Sequence, residues 1–172
     1  MMPKTLHTMA WAYHEICAGE DPWTALGNFK NAWYDYARDN RAALVGDPLG
    51  KPDQDTEHTH HWAAFCAASV EFLCDRYGLA CPAWVYDPTY TLATPWYGDT
   101  IINLADTIVL KHRRETTPPP FARRNVFCGN RLYQNKYELN EWMQEARNKG
   151  MSNPREIWRY ARQKETALHA WP

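Results

Sequence analysis

The stretch from Glu57 to Tyr77 most constrains what this chain can become. Trp62, Phe65, Cys66, Ser69, Phe72 and Leu73 recur at helical spacing and lay a broad apolar face along one helix. Alanines at 63, 64, 67 and 68 thin that helix, so a neighbour can approach closely. Gly78 closes it. Such a face is buried only against other elements, and the flanking sequence supplies them.

Upstream, Leu6, Met9, Tyr13 and Ile16 form the stripe of an amphipathic helix over residues 5–18, ended by Gly19. Asp21 as N-cap and Pro22 in the first turn restart the chain. The helix that follows is expected to bury Trp23, Leu26, Trp33, Tyr34, Ala37 and Leu44, and at about 22 residues would be a rod ~33 Å long. A connection of three or four residues makes these two helices antiparallel neighbours. Gly46–Asp55, with two prolines, two glycines and three aspartates, is a loop.

Downstream, residues 79–98 are rich in proline and aromatics, an irregular connection of about 20 residues that either carries function or covers the core. Asp99 or Thr100 is expected to cap a helix through Arg114 with Ile101, Leu104, Ala105 and Ile108 inward. Its basic last turn, Lys111-His112-Arg113-Arg114, suits the helix dipole. Residues 116–120 are a stiff break, and 121–130 read as a short strand running into a turn. Leu139–Lys149 forms a helix with Leu139, Trp142, Met143 and Ala146 together. A last helix starts cleanly at Asn153-Pro154 and reaches about His169, with Ile157, Trp158 and Ala161 on one face. The sum is an all-α, single-domain bundle of about six helices around an aromatic-rich core, with a long aromatic, Pro-rich connection and one short strand or hairpin. Residues 1–136 are expected to form the helical core domain and 137–172 a C-terminal helical pair, packed on it or reaching to a partner.

Length and charge narrow the classes. A chain of 172 residues can bury a core without staples. It has no apolar run near 18 residues, which excludes a membrane-spanning helix, and its first residues lack the apolar region of a secretion signal. Five cysteines with no CxxC pair favour reduced thiols and a cytoplasmic setting. The net charge of −1 conceals an asymmetry: residues 1–106 carry 14 acidic and 6 basic side chains, residues 107–172 carry 6 acidic and 13 basic. That pattern points to an extended partner surface or to attraction within the molecule. Nine tryptophans and ten tyrosines exceed the needs of a core this size and suit interfaces as well.

Candidate chemistry is sparse. His58 and His61 lie three apart on one helix face and could ligate a metal, yet the third ligand would come from His14, His112, Asp53 or Asp55, scattered along the chain. Ordinary first-turn polarity explains the cluster as well. Cys66, Cys74 and Ser69 sit on or beside an apolar stripe, where small hydrophobes are usual; Cys128, near Arg124 and before Gly129, is the best placed thiol. Neither GxxxxGK[ST] nor GxGxxG occurs, and no cofactor is expected. Lys111, Arg113, Arg114, Arg123, Arg124, Arg131 and Lys136 alternate with Phe121, Phe127, Tyr133 and Tyr137, which suits phosphates and unstacked bases or an acidic protein.

The segment His61-Trp62 through Tyr77, with Pro82-Ala83-Trp84, Pro95-Trp96-Tyr97 and Pro120-Phe121-Ala122-Arg123-Arg124-Asn125-Val126-Phe127, resembles small bacterial helical proteins that accompany toxins in two-gene toxin–antitoxin operons. The toxins include nucleotidyltransferase-like enzymes and relatives of alarmone synthetases. The resemblance covers roughly residues 61–127, rests on short motifs, and implies a non-catalytic antitoxin that neutralises a cognate toxin by binding it. Trp84, Trp96, Tyr97, Arg113, Arg114, Arg123, Arg124 and Trp158 are the expected partner-binding residues. The alternatives are an RNA-binding module using residues 111–136 and a small metal-dependent hydrolase at His58 and His61.

Overall fold

The computed structural model describes residues 5–98 and 106–169, and the chain is all-α. It divides into two compact units, Met1–Gly129 and Asn130–Pro172. At the centre of the first lies α4 (Glu57–Tyr77), with the bounds its sequence predicts. The Thr56 hydroxyl accepts from the Thr59 amide and the Thr59 hydroxyl from the Thr56 amide, a reciprocal box that satisfies the open helix start. Gly78 ends it at φ 67°, a conformation that side chains rarely adopt. Every residue from Trp62 to Val70 is buried, so α4 is enclosed over more than two turns rather than showing one stripe. Its alanines let α1, α6 and the turns at 83–90 pack around it.

Helix α1 (Met9–Cys17) starts later than the spacing suggests, because Thr8 caps it by accepting from the Trp11 amide. It buries Met9, Ala12, Tyr13 and Ile16, and the Tyr13 hydroxyl donates to the Thr59 carbonyl of α4 at 3.0 Å. α2 (Pro22–Asn31) begins as expected on Asp21 and Pro22 and packs on α1.

The long rod does not form. Beyond Asn31 the backbone widens into a π turn over Ala32–Tyr36, leaves helical geometry at Ala37, and resumes as α3 (Arg41–Val45). Ala32, Trp33 and Tyr34 are consecutive and all buried. A straight helix with one apolar stripe would expose one of them, and the wider turn removes that conflict. Arg41 then folds back, its Nε donating to the Trp33 carbonyl at 3.1 Å and its guanidinium lying over the Trp33 and Tyr77 rings. Phe29, which the spacing did not single out, is fully buried beside Trp33. Trp23, expected inside, is 41% exposed and meets Trp62 and Phe65 edge-on.

Residues 46–55 are a loop, as read. The aromatic connection contains two short 3₁₀ turns, Ala83–Tyr86 and Pro88–Tyr90. The expected helix start at Asp99 or Thr100, with Ile101, Leu104 and Ala105, lies outside the described residues. The described part is α5 (Thr107–Thr116), capped by Asp106, which accepts from the Ile108 and Val109 amides. Ile108, expected inward, is 80% exposed. The strand expected over 121–130 is replaced by one turn of helix, α6 (Pro119–Ala122), because Pro119 favours a first helical turn. Extended pairing among the described residues is a single parallel bridge between Trp96 and Val126.

In the second unit, α7 (Lys136–Asn148) is capped by Asn135 and packs on α8 (Pro154–His169). Ala146 of α7 and Ile157, Ala161 and Glu165 of α8 are buried. The Tyr160 hydroxyl donates to Glu145 at 2.5 Å and accepts from Lys149 at 2.9 Å. Trp158 is 51% exposed, since the buried stripe runs through Ile157, Ala161 and Glu165 and leaves its neighbour in water. No helix among the described residues is long and apolar enough to cross a membrane.

Removal of the Trp62 ring, wholly buried among Trp23, Phe65 and Trp96, is expected to cost about 3–5 kcal/mol as Trp62→Ala. Ile108→Ala is expected to change stability by no more than about 0.5 kcal/mol. Urea unfolding followed by far-UV circular dichroism measures both.

Candidate partner-binding surface

The run Phe121-Ala122-Arg123-Arg124-Asn125-Val126-Phe127 is positioned by one side chain. Arg124 is only 6% exposed; its Nη1 donates to Glu71 Oε2 of α4 at 2.5 Å and to the Pro120 carbonyl at 2.7 Å, and its Nη2 donates to the Val85 carbonyl at 2.9 Å. Arg123 reaches the other Glu71 oxygen from the exposed side. Asn125 adopts φ 61°, a conformation asparagine tolerates better than most residues. Its Nδ2 donates to the Leu92 carbonyl at 2.7 Å while the Leu92 amide donates to the Arg124 carbonyl. The Trp96 and Phe127 amides then complete the bridge, each at 2.8 Å.

On this frame the aromatic and cationic side chains spread outward. Trp96 is buried, stacked on His61 at 4.5 Å and edge-on to Trp62. Tyr97, half-buried, accepts from Arg114 Nε at 2.6 Å, and the Arg114 guanidinium sits 4.9 Å from the Phe127 ring centroid. Arg113 donates to the Cys128 carbonyl at 3.1 Å, and Thr117 donates to the Arg113 carbonyl while accepting from the Gly129 amide. These bonds fasten the C-terminal end of α5. Yet none of its residues is buried, and it presents Ile108, Val109, Lys111, His112 and Arg114 to solvent.

The structure therefore sorts the expected partner-binding residues. Tyr97 and Arg114 come together around Phe127, Arg113 bonds the adjacent Cys128 carbonyl, and Arg123 and Arg124 meet at Glu71. Arg124 and Trp96 are internal and hold the frame, because a desolvated guanidinium and an indole stacked on His61 have no face left for a partner. Trp84 is half-buried, with Nε1 donating to the Val45 carbonyl at 3.0 Å. Trp158 belongs to the other unit. Ile108 was missed as a surface residue because apolar spacing alone reads it as core, and Val109 was not singled out.

No family model, curated protein or solved structure matches the chain. Its possible functions are therefore read from its own side chains.

Of the histidines, His58 is exposed and edge-on to Trp62, and His61 faces Glu57 at 3.6 Å and stacks on Trp96. His60 Nε2 lies 2.5 Å from Asp55 Oδ1 at the rim of a cleft of about 550 Å³ that also takes in Lys51, Asp87 and Tyr90. Among the described residues no three His, Cys, Asp or Glu side chains converge as a metal site would require. Ser69 is wholly buried. Burial pushes the Cys66 thiol far up and the Cys74 and Cys128 thiols to about 12, Arg113 pulling only weakly against this at Cys128. Such thiols stay protonated near neutrality and are poor nucleophiles.

Arg124→Ala, which strands Glu71 and two carbonyls, is expected to cost about 3–5 kcal/mol, whereas Arg123→Ala, at an exposed pair, should cost less than about 1 kcal/mol in the same urea titration. The thiols add a pH dependence. In the unfolded chain they lose protons near 9, whereas Cys74 and Cys128 in the native state hold theirs to about 12. The unfolded state binds fewer protons in that window, so stability, full below 9, falls as pH rises. Urea midpoints at pH 8 and pH 10 measure the decline, which Cys128→Ala should reduce.

Proposed function

We propose that this chain is a non-catalytic interaction protein of the antitoxin type that neutralises a cognate toxin enzyme by direct binding. The observation that carries the reading is α5. A ten-residue helix with no buried residue has its aliphatic start in water and its basic end fastened by Arg113 and Arg114 to Cys128, Tyr97 and Phe127. An exposed Ile–Val pair beside cations and half-buried aromatic rings has the composition of an interface anchor, apolar at the centre and charged at the rim.

The resemblance over residues 61–127 supports the same class and points to a nucleotidyltransferase-like or alarmone-synthetase-like partner. An enzyme handling tRNA or nucleotides has a basic active site, which the exposed carboxylates Glu20, Asp21, Asp35 and Asp39 complement in charge. The five cysteines are all free, which suits a reducing cytoplasm. The RNA-binding reading of residues 111–136 draws less support, since Arg113, Arg114, Arg123 and Arg124 each already bond a protein group.

Coexpression with the product of the neighbouring gene, followed by size exclusion, tests the proposal. A co-eluting complex with loss of toxicity is expected, and Ile108→Asp with Lys111→Glu, both exposed on α5, should weaken it at least 10-fold without lowering the melting temperature. Two separate peaks with undiminished toxicity would overturn it.

A further inference from the structure

The second unit carries a surface of which the sequence singles out only Trp158 as partner-binding. Helix α8 buries Ile157, Ala161 and Glu165 along one stripe. Arg155, Trp158, Arg159 and Arg162 follow one another at i, i+3, i+4 and i+7, so all four side chains stand on a single face that borders that stripe at Glu165. Arg155 and Arg159 are exposed, and their guanidinium groups have no partner among the described residues. Arg162 bonds Glu165, the buried carboxylate at the edge of the ridge, and its guanidinium lies 4.9 Å from the Trp158 ring centroid. Pro154, Arg155, Trp158 and Arg159 line an open depression of about 480 Å³. Glu156, the remaining acidic residue of α8, projects from another side of the helix.

A half-exposed indole beside two unpartnered guanidiniums, with a third near its ring that is paired to Glu165, has the two chemistries of a single-strand site: an aromatic ring on which an unstacked base can lie, and cations for the phosphates on either side. From Arg155 to Arg162 the ridge runs about 10 Å along the helix axis. One turn further on the same face Thr166 is exposed, and its hydroxyl can donate to or accept from a ribose 2′-hydroxyl, a contact that DNA does not offer. An acidic protein would satisfy the arginines, but it would make no particular use of the half-exposed indole that shares the depression with Arg155 and Arg159.

We infer that the Arg155–Trp158–Arg159–Arg162 face of α8 is a docking surface for single-stranded RNA. The site is independent of α5 and does not rest on the antitoxin reading.

Fluorescence anisotropy of the full-length chain with end-labelled oligouridylate, ten nucleotides long, tests it at 50 and 200 mM salt. Binding is expected at 50 mM and should weaken at 200 mM. The double variant R155A/R159A should weaken it at least 10-fold and lower the log–log salt slope by about 1.4, two phosphates on a single strand. W158A should weaken it by a factor of about 5 to 150, the range of one lost stacking contact, while W158F restores most of the loss. These positions are exposed, so far-UV circular dichroism and melting should match the unaltered protein in every variant. No binding at 50 mM, wild-type affinity in either R155A/R159A or W158A, or a duplex bound as tightly as the single strand would each overturn the inference. Oligothymidylate bound equally or more tightly would overturn the assignment to RNA. None of these results bears on the coexpression experiment, which reads a different unit of the chain.

Discussion

A single desolvated guanidinium joins three segments that share no sequence signal for meeting. Arg124 holds α4 through Glu71, the turn at 83–86 through the Val85 carbonyl, and α6 through the Pro120 carbonyl. Placing a charge inside a protein is costly unless its donors are satisfied, and here three acceptors do so. The consequence reaches outward. With Arg124 fixed, Asn125 can take its left-handed turn, Trp96 can pair with Val126, and the Tyr97–Arg114–Phe127 cluster has a rigid base. The exposed character of α5 follows from that support, because its C-terminal end is anchored by polar bonds rather than by burial of its own apolar residues.

The chemistry follows the same division between interior and rim. Ser69 and Cys66 are enclosed, and among the described residues no third metal ligand converges on His58 and His61. Beside the cleft at His60 and Asp55, two surfaces are accessible: an aliphatic and cationic helix in one unit, and an arginine–indole ridge in the other. Both suit recognition of large partners, where affinity comes from a few anchoring rings and cations held in place before the partner arrives.

Much of the helical scaffold was legible in the residues. The bounds of α4, the Asp21-Pro22 start of α2 and the Asn153-Pro154 start of α8 depend on local capping chemistry, which acts within a few residues and is therefore written there. What escaped were features set by distant contacts. Nothing near Arg124 announces that Glu71 will meet it, so it read as a surface cation. Ile108 has core spacing, but burial depends on whether a neighbour arrives. The strand expected after Phe121 had β-favouring residues but no partner strand, and three prolines started a helical turn instead. Trp158 shares an arc of α8 with Ile157 and Ala161, but it lies at the border of that arc and is 51% exposed.

The π turn at Ala32–Tyr36 carries a different consequence. Such a turn is an α-helical turn with one residue too many, and each residue of an α-helix sweeps about 100° around the axis. The direction in which α3 departs, and with it the lodging of Arg41 against Trp33 and Tyr77, thus depends on how many residues occupy this short stretch as well as on which they are. Related chains should accept exchanges of side chain here far more readily than a one-residue insertion or deletion, which would rephase everything downstream as far as the loop at Gly46.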